Sequence, residues 1–401
     1  VKRSALGAVT AQGTQALASV VLQVLVVRTL GLEGLGAFSI IYGIMILVAA
    51  VTSGFVGDSL VVLPRHERAV RSALEQFALA IPLIGGIATA AVTAATGLID
   101  PLEALLMAAA ITVFSIEEVF RRLLMANNSF WRVAAVDGSG LLGALAVLGV
   151  VSLIQPLSLA AYLGAIAAGQ VVALLVAALL LPRSERVVVA FVGGGRRTVT
   201  GYGAWRASQQ LLRPALQTVV RAMVTIFVGL AATGLLETAR VYVAPALLVI
   251  SGLTSFLFVR YAGQADSPVA TRVRAADRAV LGLLGITLAM GLVLLLILPW
   301  AGPLLFGVVP PILAVLGWLA YSASVAAVTP YGALAAVGGR QAVVFAIRVA
   351  DTVLAALLAL LVLAAGADPS YVPMAMAVAS LAGGIALRIL VSRPGSGPAE
   401  R

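Results

Sequence analysis

Cysteine is absent from this chain of 401 residues. No disulfide framework and no thiolate metal site can therefore form. Histidine occurs once, as His66 in "LPRHERAVR", a solitary loop imidazole with no second ring to share a metal. Lysine also occurs once, as Lys2. Charge of either sign is scarce: 10% of residues carry it, against about 25% in soluble domains. The balance is basic, 26 Lys and Arg against 16 Asp and Glu, or +10 net. A basic excess can mark a nucleic-acid binder, but these arginines are scattered over short loops between apolar runs and build no basic domain. No metal-ligand spacing and no nucleophile–base arrangement occurs, so neither an enzyme nor a cofactor or metal is expected.

What is abundant is apolar: 62% of the chain is hydrophobic. The expected fold class is an all-α polytopic membrane protein of about twelve transmembrane helices. The expected spans are Ser4–Val27, Leu35–Leu63, Phe77–Gly97, Leu102–Met125, Val133–Ile154 and Leu159–Leu181, then Trp205–Leu230, Leu235–Val259, Ala279–Trp300, Val308–Val337, Ala342–Ala365 and Tyr371–Val391. "VKRSALGAV" begins like a signal peptide, but its apolar continuation of about 24 residues is long enough to span, which predicts an uncleaved first helix. Nineteen basic residues, from Lys2 and Arg3 to Arg393 and Arg401, fall on one side of these spans, and Arg28 alone on the other. The positive-inside rule then puts both termini in the cytoplasm of a multi-pass protein of the cytoplasmic (inner) membrane. The preference for arginine, alanine, glycine and valine suggests a GC-rich bacterial genome. The opposite loops, "IDPLE", "QPLS" and "ADPS", are too short to host chemistry.

The two halves repeat. "LGLEGLGAF" precedes the second span and "VGLAATGLL" the eighth, pairing Gly31 with Gly229 and Gly36 with Gly234 at an offset of 198. Six spans per repeat means both halves enter the membrane in the same sense, a parallel repeat. The expected organisation is two six-helix lobes, 1–182 and 205–391, around a central cavity, with an inter-lobe linker at 183–204 and a tail at 392–401.

"RASQQLLRPALQTVVR", residues 206–221, puts charge where a lipid-facing helix should have none. At helical periodicity Arg206, Gln210, Arg213, Gln217 and Arg221 fall within an arc of about 80°. The stretch rises about 22 Å, most of a bilayer's apolar thickness. An arginine at mid-membrane costs about 2.5–3.5 kcal/mol on an insertion scale. Arg206 can reach the interface; Arg213 and Arg221 lie deeper and are expected to line a wet or protein-walled interior. Shifted by 198, Gln210, Arg213, Gln217 and Arg221 meet Gln12, Gln15, Ser19 and Gln23 on the first span. Both repeats thus carry a polar stripe, one neutral and one cationic. The structural alternative is that the arginines neutralise acids on adjacent helices. The functional one is an anion site, because the guanidinium fork suits phosphate. Glu237, Arg240, Ser251 and Ser255 share a face of the eighth span, with Ser39, Tyr42 and Ser53 as repeat partners of the first three.

Other charges have two readings each. "EEVFRRL" sets Glu117 four residues before Arg121 and Glu118 four before Arg122, the spacing of helical ion pairs; coupling-ion or proton binding is the alternative. Asp137 and Asp351 form a further repeat pair at a shifted offset, with Arg348 beside Asp351. Asp58 is the most isolated acid inside a span and a coupling candidate. "GSGLLG" (138–143) fits a dinucleotide fingerprint, but it follows no strand, and small residues for close helix packing explain it.

The stretch "VVRTLGLEGLGAFSIIYGIMILVAAVTSGFVGDSLVVLPR" resembles the first helical hairpin of the polysaccharide flippases, the O-antigen and capsule exporters of the multidrug/oligosaccharidyl-lipid/polysaccharide (MOP) superfamily. "RAMVTIFVGLAATGLLETARVYVAPALL" is similar to their seventh-to-eighth segment, with Val220 where the family often carries an acid. "FRRLLMANNSFWRVAAVDGSG" is similar to their fourth-to-fifth connection. The resemblance implies alternating access by two lobes and a cationic cavity for a polyprenyl-diphosphate-linked oligosaccharide, a polysaccharide precursor. On that reading Arg213 and Arg221 hold the diphosphate and Arg206 guards the entry. Gln12, Gln15, Ser19, Gln23, Gln210 and Gln217 line the path, and Asp58, Glu117, Glu118, Glu237 and Arg240 are coupling or gating candidates. Expected partners are the lipid-linked glycan, the bilayer and glycan-assembly enzymes. The rivals are a cation-coupled multidrug exporter of the same superfamily and a membrane glycan polymerase or ligase.

Overall fold

The computed structural model describes residues 2–185, 194–262, 268–337 and 340–392, with side chains left undescribed at 2–6, 8, 9, 184, 251–262, 269, 336 and 337. Ser251 and Ser255 therefore lie outside the described side chains, as do residues 186–193 of the expected linker and 393–401 of the expected tail. The described chain is all-helical: α1 (Lys2–Thr52), a π-helical turn (Ser53–Gly57), α2 (Asp58–Val62), α3 (Arg68–Ala95), α4 (Pro101–Ala126), α5 (Phe130–Ile154), α6 (Leu159–Leu180), α7 (Arg196–Phe227), α8 (Leu230–Ala262), α9 (Val269–Phe306), α10 (Ile312–Val337), α11 (Gln341–Ala364) and α12 (Val372–Ser392).

Unbroken, the 51 residues of α1 would stretch about 76 Å, far more than a bilayer's apolar core. They do not, because Gly31 sits at φ 71° and ψ −167°, which only glycine adopts without strain. The limbs on either side fold back together: Gln15, Ser19 and Leu22 line one cavity with Tyr42 and Met45. Gly229, the repeat partner, also has a left-handed φ, 117°, between α7 and α8. Both glycines of the repeat thus make tight hairpins.

Nine described helices are long and apolar enough to cross a membrane, and the first contains both limbs of α1. α4 and α7 have the length but are more polar, α4 through its acids and arginines and α7 through its glutamines and arginines. Together these make up the twelve expected spans. Several boundaries move. α3 starts at Arg68 rather than Phe77 and α9 at Val269 rather than Ala279, because polar first turns continue the helix beyond the apolar stretch. The second expected span is interrupted: its last turns are the π-turn and α2. Where the chain turns at "IDPLE", Asp100 and Glu103 form a reciprocal capping box and Pro101 opens α4.

By contacts the chain divides into two compact units, Val1–Thr218 and Val219–Arg401. The first is built on Val56, Leu60, Leu74, Val119, Leu123, Val133 and Ala173. The second has a core of Ala276, Val328, Tyr331, Leu334 and Leu387. Small residues let α5 and α6 touch: a Cβ on Gly169 would lie 2.5 Å from the Gly140 carbonyl oxygen. Gly140 and Gly143 of "GSGLLG" therefore serve packing. Outward stripes are apolar, as Leu281, Leu288, Leu292 and Leu296 on α9 illustrate, which suits a lipid surrounding.

Candidate functional site

α7 presents the cationic stripe, and its three arginines have different surroundings. Arg206 is paired: its Nε and Nη2 reach Asp58 Oδ2 at 2.8 and 2.6 Å. Gln210 donates to the same oxygen at 3.0 Å. Asp58, isolated along the sequence, is thus not isolated in space. Arg221 is buried and donates to Glu237 at 2.8 Å. Arg240 also donates to Glu237, at 2.6 Å. Arg213 is exposed and makes no hydrogen bond or ion pair among the described residues. Gln217, one turn further, is half-buried.

The reach of Asp58 has a local cause. A π-turn holds one residue more than an α-turn and redirects the helix beyond it. Here that turn lies directly on α7: a Cβ on Gly54 would fall 2.6 Å from the Ala207 Cα, and one on Gly203 would fall 2.6 Å from the Phe55 carbonyl oxygen. Glycine at both positions lets the backbones meet and brings Asp58, the residue after the turn, to Arg206.

The neutral stripe of α1 faces elsewhere. Gln12 is exposed, Gln15 and Ser19 line a cavity of about 60 Å³ inside the first unit, and Gln23 is buried, donating to Ser19. The cavity also meets Tyr42, Glu117, Asp137 and Gln170. A water needs about 10–15 Å³, so a few waters fit. Three acceptors on this cavity's lining residues lack a donor: Glu117 Oε1, Asp137 Oδ2 and Gln170 Oε1. Gln170 escaped the sequence reading, since nothing in its α6 context distinguishes it from a packing residue.

The expected pairs of "EEVFRRL" form only in part. Glu118 takes Arg122 at 3.0 Å, as its spacing predicted, and also Arg121 at 2.7 Å. Arg121 then lies 2.8 Å from Asp137 on α5. Among the described residues Glu117 Oε1 accepts no hydrogen bond, and Arg121 hydrogen-bonds Glu118 while its own Nε and Nη2 remain without a hydrogen-bond acceptor. The chain of charges runs on through Arg122 to Asp58 at 4.0 Å.

Two ion clusters lie apart from the stripes. Glu185 joins Arg65 at 3.0 Å and Arg71 at 3.1 Å, and Arg71 also holds Glu75 at 2.8 Å. Burial works against ionisation of Glu185, yet Arg65, the Asn127 amide and Arg71 together hold its carboxyl below the usual range. In the second unit Arg388 grips Asp277 through two bonds of 3.1 Å, and the Tyr331 hydroxyl donates to Asp277 at 2.6 Å. This second cluster was not expected; its members lie on α9, α10 and α12 at separations no helical spacing encodes. Arg348 pairs with Asp351 at 2.9 Å, as its position suggested.

This arrangement of helices is the fold of the multidrug resistance MATE transporters of the MOP superfamily. No family model and no curated protein matches the chain. Among solved structures, it is similar to an inward-facing multidrug resistance MATE family transporter of the MOP superfamily, at 15% identity and TM-score 0.74 over 94% of this chain and 93% of that one. It is also similar to an outward-facing one, at 14% identity and TM-score 0.65 over 97% and 93%. A third is a MOP superfamily transporter from Pyrococcus furiosus Vc1 (DSM3638), for which a reverse polarity of the binding pocket suggests a different function, at 14% identity and TM-score 0.66 over 97% and 94%.

Proposed function

We propose that this chain is a transporter of the cytoplasmic membrane, not an enzyme, that flips a polyprenyl-diphosphate-linked oligosaccharide outward by alternating access. The observation that carries the reading is Arg213. It lies in mid-helix on the polar face of α7, exposed and without an acid among the described residues, while Arg206 and Arg221 each have one. An unmatched arginine at such a depth is costly unless a ligand or water meets it. A diphosphate suits it: the fork takes two oxygens, and the ligand's charge exceeds that of a single carboxylate. Gln217 beside it offers hydrogen bonds to sugar hydroxyls. The resemblance of the α1 and α7–α8 hairpins to polysaccharide flippases supports the substrate class, and the fold supports the transport mode.

The test is a lipid-linked glycan assay in cells lacking the gene, complemented with wild type, Arg213→Ala or Arg213→Lys at matched protein level. The reading expects cytoplasm-facing intermediates to accumulate with the alanine variant and partial relief with lysine. Normal export with Arg213→Ala would sink it.

A second reading, a cation-coupled multidrug exporter, has its own observation. Glu117, Asp137 and Gln170 line one small cavity and each has a buried oxygen without a donor among the described residues, a setting in which a carboxylate can take up a proton. Such a site would equally drive a flippase. The readings separate on cargo: a deletion strain hypersensitive to cationic drugs with normal glycan export favours the exporter.

A further inference from the structure

Asp58 takes up two of the five residues of the α7 stripe. Its Oδ2 accepts from Arg206 Nε and Nη2 and from Gln210 Nε2, at 2.8, 2.6 and 3.0 Å. A carboxylate oxygen with these donors stands where an oxygen of an anionic ligand would stand, because the guanidinium fork binds both by the same geometry. The pair is not sealed from water: the Arg206 side chain is 33% exposed and that of Asp58 13%. Solvent screens it, so it can exchange for a stronger anion. The other arginine near Asp58 does not replace this bond. Arg122 lies 4.0 Å from Oδ1 and is already held by Glu118 at 3.0 Å.

We propose that Asp58 is an internal competitor for the anion site. It holds Arg206 and Gln210 while no anionic ligand is present and yields them to an incoming diphosphate. The carboxylate sits at the end of the π-turn that packs on α7 through Gly54 and Gly203, so its release frees the turn and α2 from their only charged tie to α7 among the described residues. Loading of the stripe is thereby linked to a bend in the second span. Diphosphate as the natural ligand rests on the function proposed above; the competition between Asp58 and anions for Arg206 does not.

The chain has no cysteine, so Gln210→Cys introduces a single thiol one helical turn from Arg206. Its rate of modification by an anionic sulfonatoethyl thiosulfonate, divided by the rate with a neutral thiosulfonate of similar size, reads the free positive charge there. Adding Asp58→Asn is expected to raise this ratio about tenfold, and adding Arg206→Gln as well returns it to the starting value. Inorganic pyrophosphate should protect the thiol at lower concentration in the Asp58→Asn background. An unchanged ratio would overturn the proposal, and so would an equal acceleration of both reagents, which reports general opening. If Asp58→Asn does not accumulate in the membrane, Asp58→Ser serves for the same comparison. A raised ratio with no protection by pyrophosphate upholds Asp58 as a competitor and counts against the diphosphate cargo.

Discussion

The hairpins at Gly31 and Gly229 are built alike and charged differently. In each, a glycine with left-handed φ reverses the chain. Eight residues before Gly31 lies Gln23 and eight after it Ser39; the same steps from Gly229 reach Arg221 and Glu237. All four side chains are buried. Tyr42 in the first repeat corresponds to Arg240 in the second. The first hairpin fills its position with neutral groups that bond locally, Gln23 to Ser19 and Ser39 to the Gly36 carbonyl. The second fills it with one carboxylate between two guanidiniums. A backbone turn repeated in the fold therefore does not dictate the electrostatics of the helices it joins. The second hairpin takes a charged pair, Arg221 and Glu237, out of water, which is costly to assemble and more costly to leave half assembled.

That contrast can be broken most forcefully at Glu237. Glu237→Ala removes the carboxylate that Arg240 and the buried Arg221 share and should destabilise the folded protein by about 3–5 kcal/mol. Ser39→Ala, its counterpart, should cost about 1 kcal/mol. Thermal unfolding of both variants in the same detergent makes the comparison, and equal losses would contradict it. Converting the second hairpin toward the first is the sharper form. Arg221→Gln with Glu237→Ser should cost less than the sum of the two single changes, with a coupling of about 1–3 kcal/mol in a double-mutant cycle.

The turns themselves should respond alike. Gly31→Ala and Gly229→Ala are each expected to cost about 1–3 kcal/mol from backbone strain alone, since no atom lies within 4 Å of a Cβ added at either position. A large difference between them would mean that the turns are not equivalent.

The smallest effect lies in a second pair of ties. In the first unit, Arg65 and Arg71 hold a titrating partner, Glu185. In the second, Arg340 donates to the Leu390 carbonyl, which does not titrate. Because the folded pKa of Glu185 is lowered, its stabilisation is fully present above the unfolded value of about 4.3 and is lost as pH falls through the folded value. Glu185→Gln should therefore be less stable than wild type at neutral pH, and the gap should close on acidification below about pH 4. Arg340→Gln should cost the same at both pH values on this account. Melting temperatures across that range decide it.

Much of the fold was legible because membrane helices announce themselves by length and apolarity, and because Gly31 and Gly229 mark the same turn twice. The pair Arg221–Glu237 was also within reach, since equal distances from a hairpin glycine place two residues at the same level. Other features were hidden for physical reasons. Asp58 meets Arg206 across 148 residues, and the π-turn that aims it leaves no trace in an apolar periodicity. Arg121 could choose among Glu117, Glu118 and Asp137; sequence spacing favours the first, but Arg121 pairs with Glu118 three residues back on its own helix and the packing of α4 on α5 adds Asp137. The cluster of Asp277, Tyr331 and Arg388 needs three helices to be placed before it exists.

The central claim is that α7 offers an anion site at Arg213. The most direct measurement is flipping of a fluorescent polyprenyl-diphosphate-linked disaccharide by the purified protein in vesicles, with wild type, Arg213→Ala and Arg213→Lys reconstituted at equal density. The account predicts that wild type moves the lipid, that alanine slows it at least about tenfold, the equivalent of about 1.4 kcal/mol in the barrier, and that lysine falls between. Transport by Arg213→Ala at the wild-type rate would contradict it.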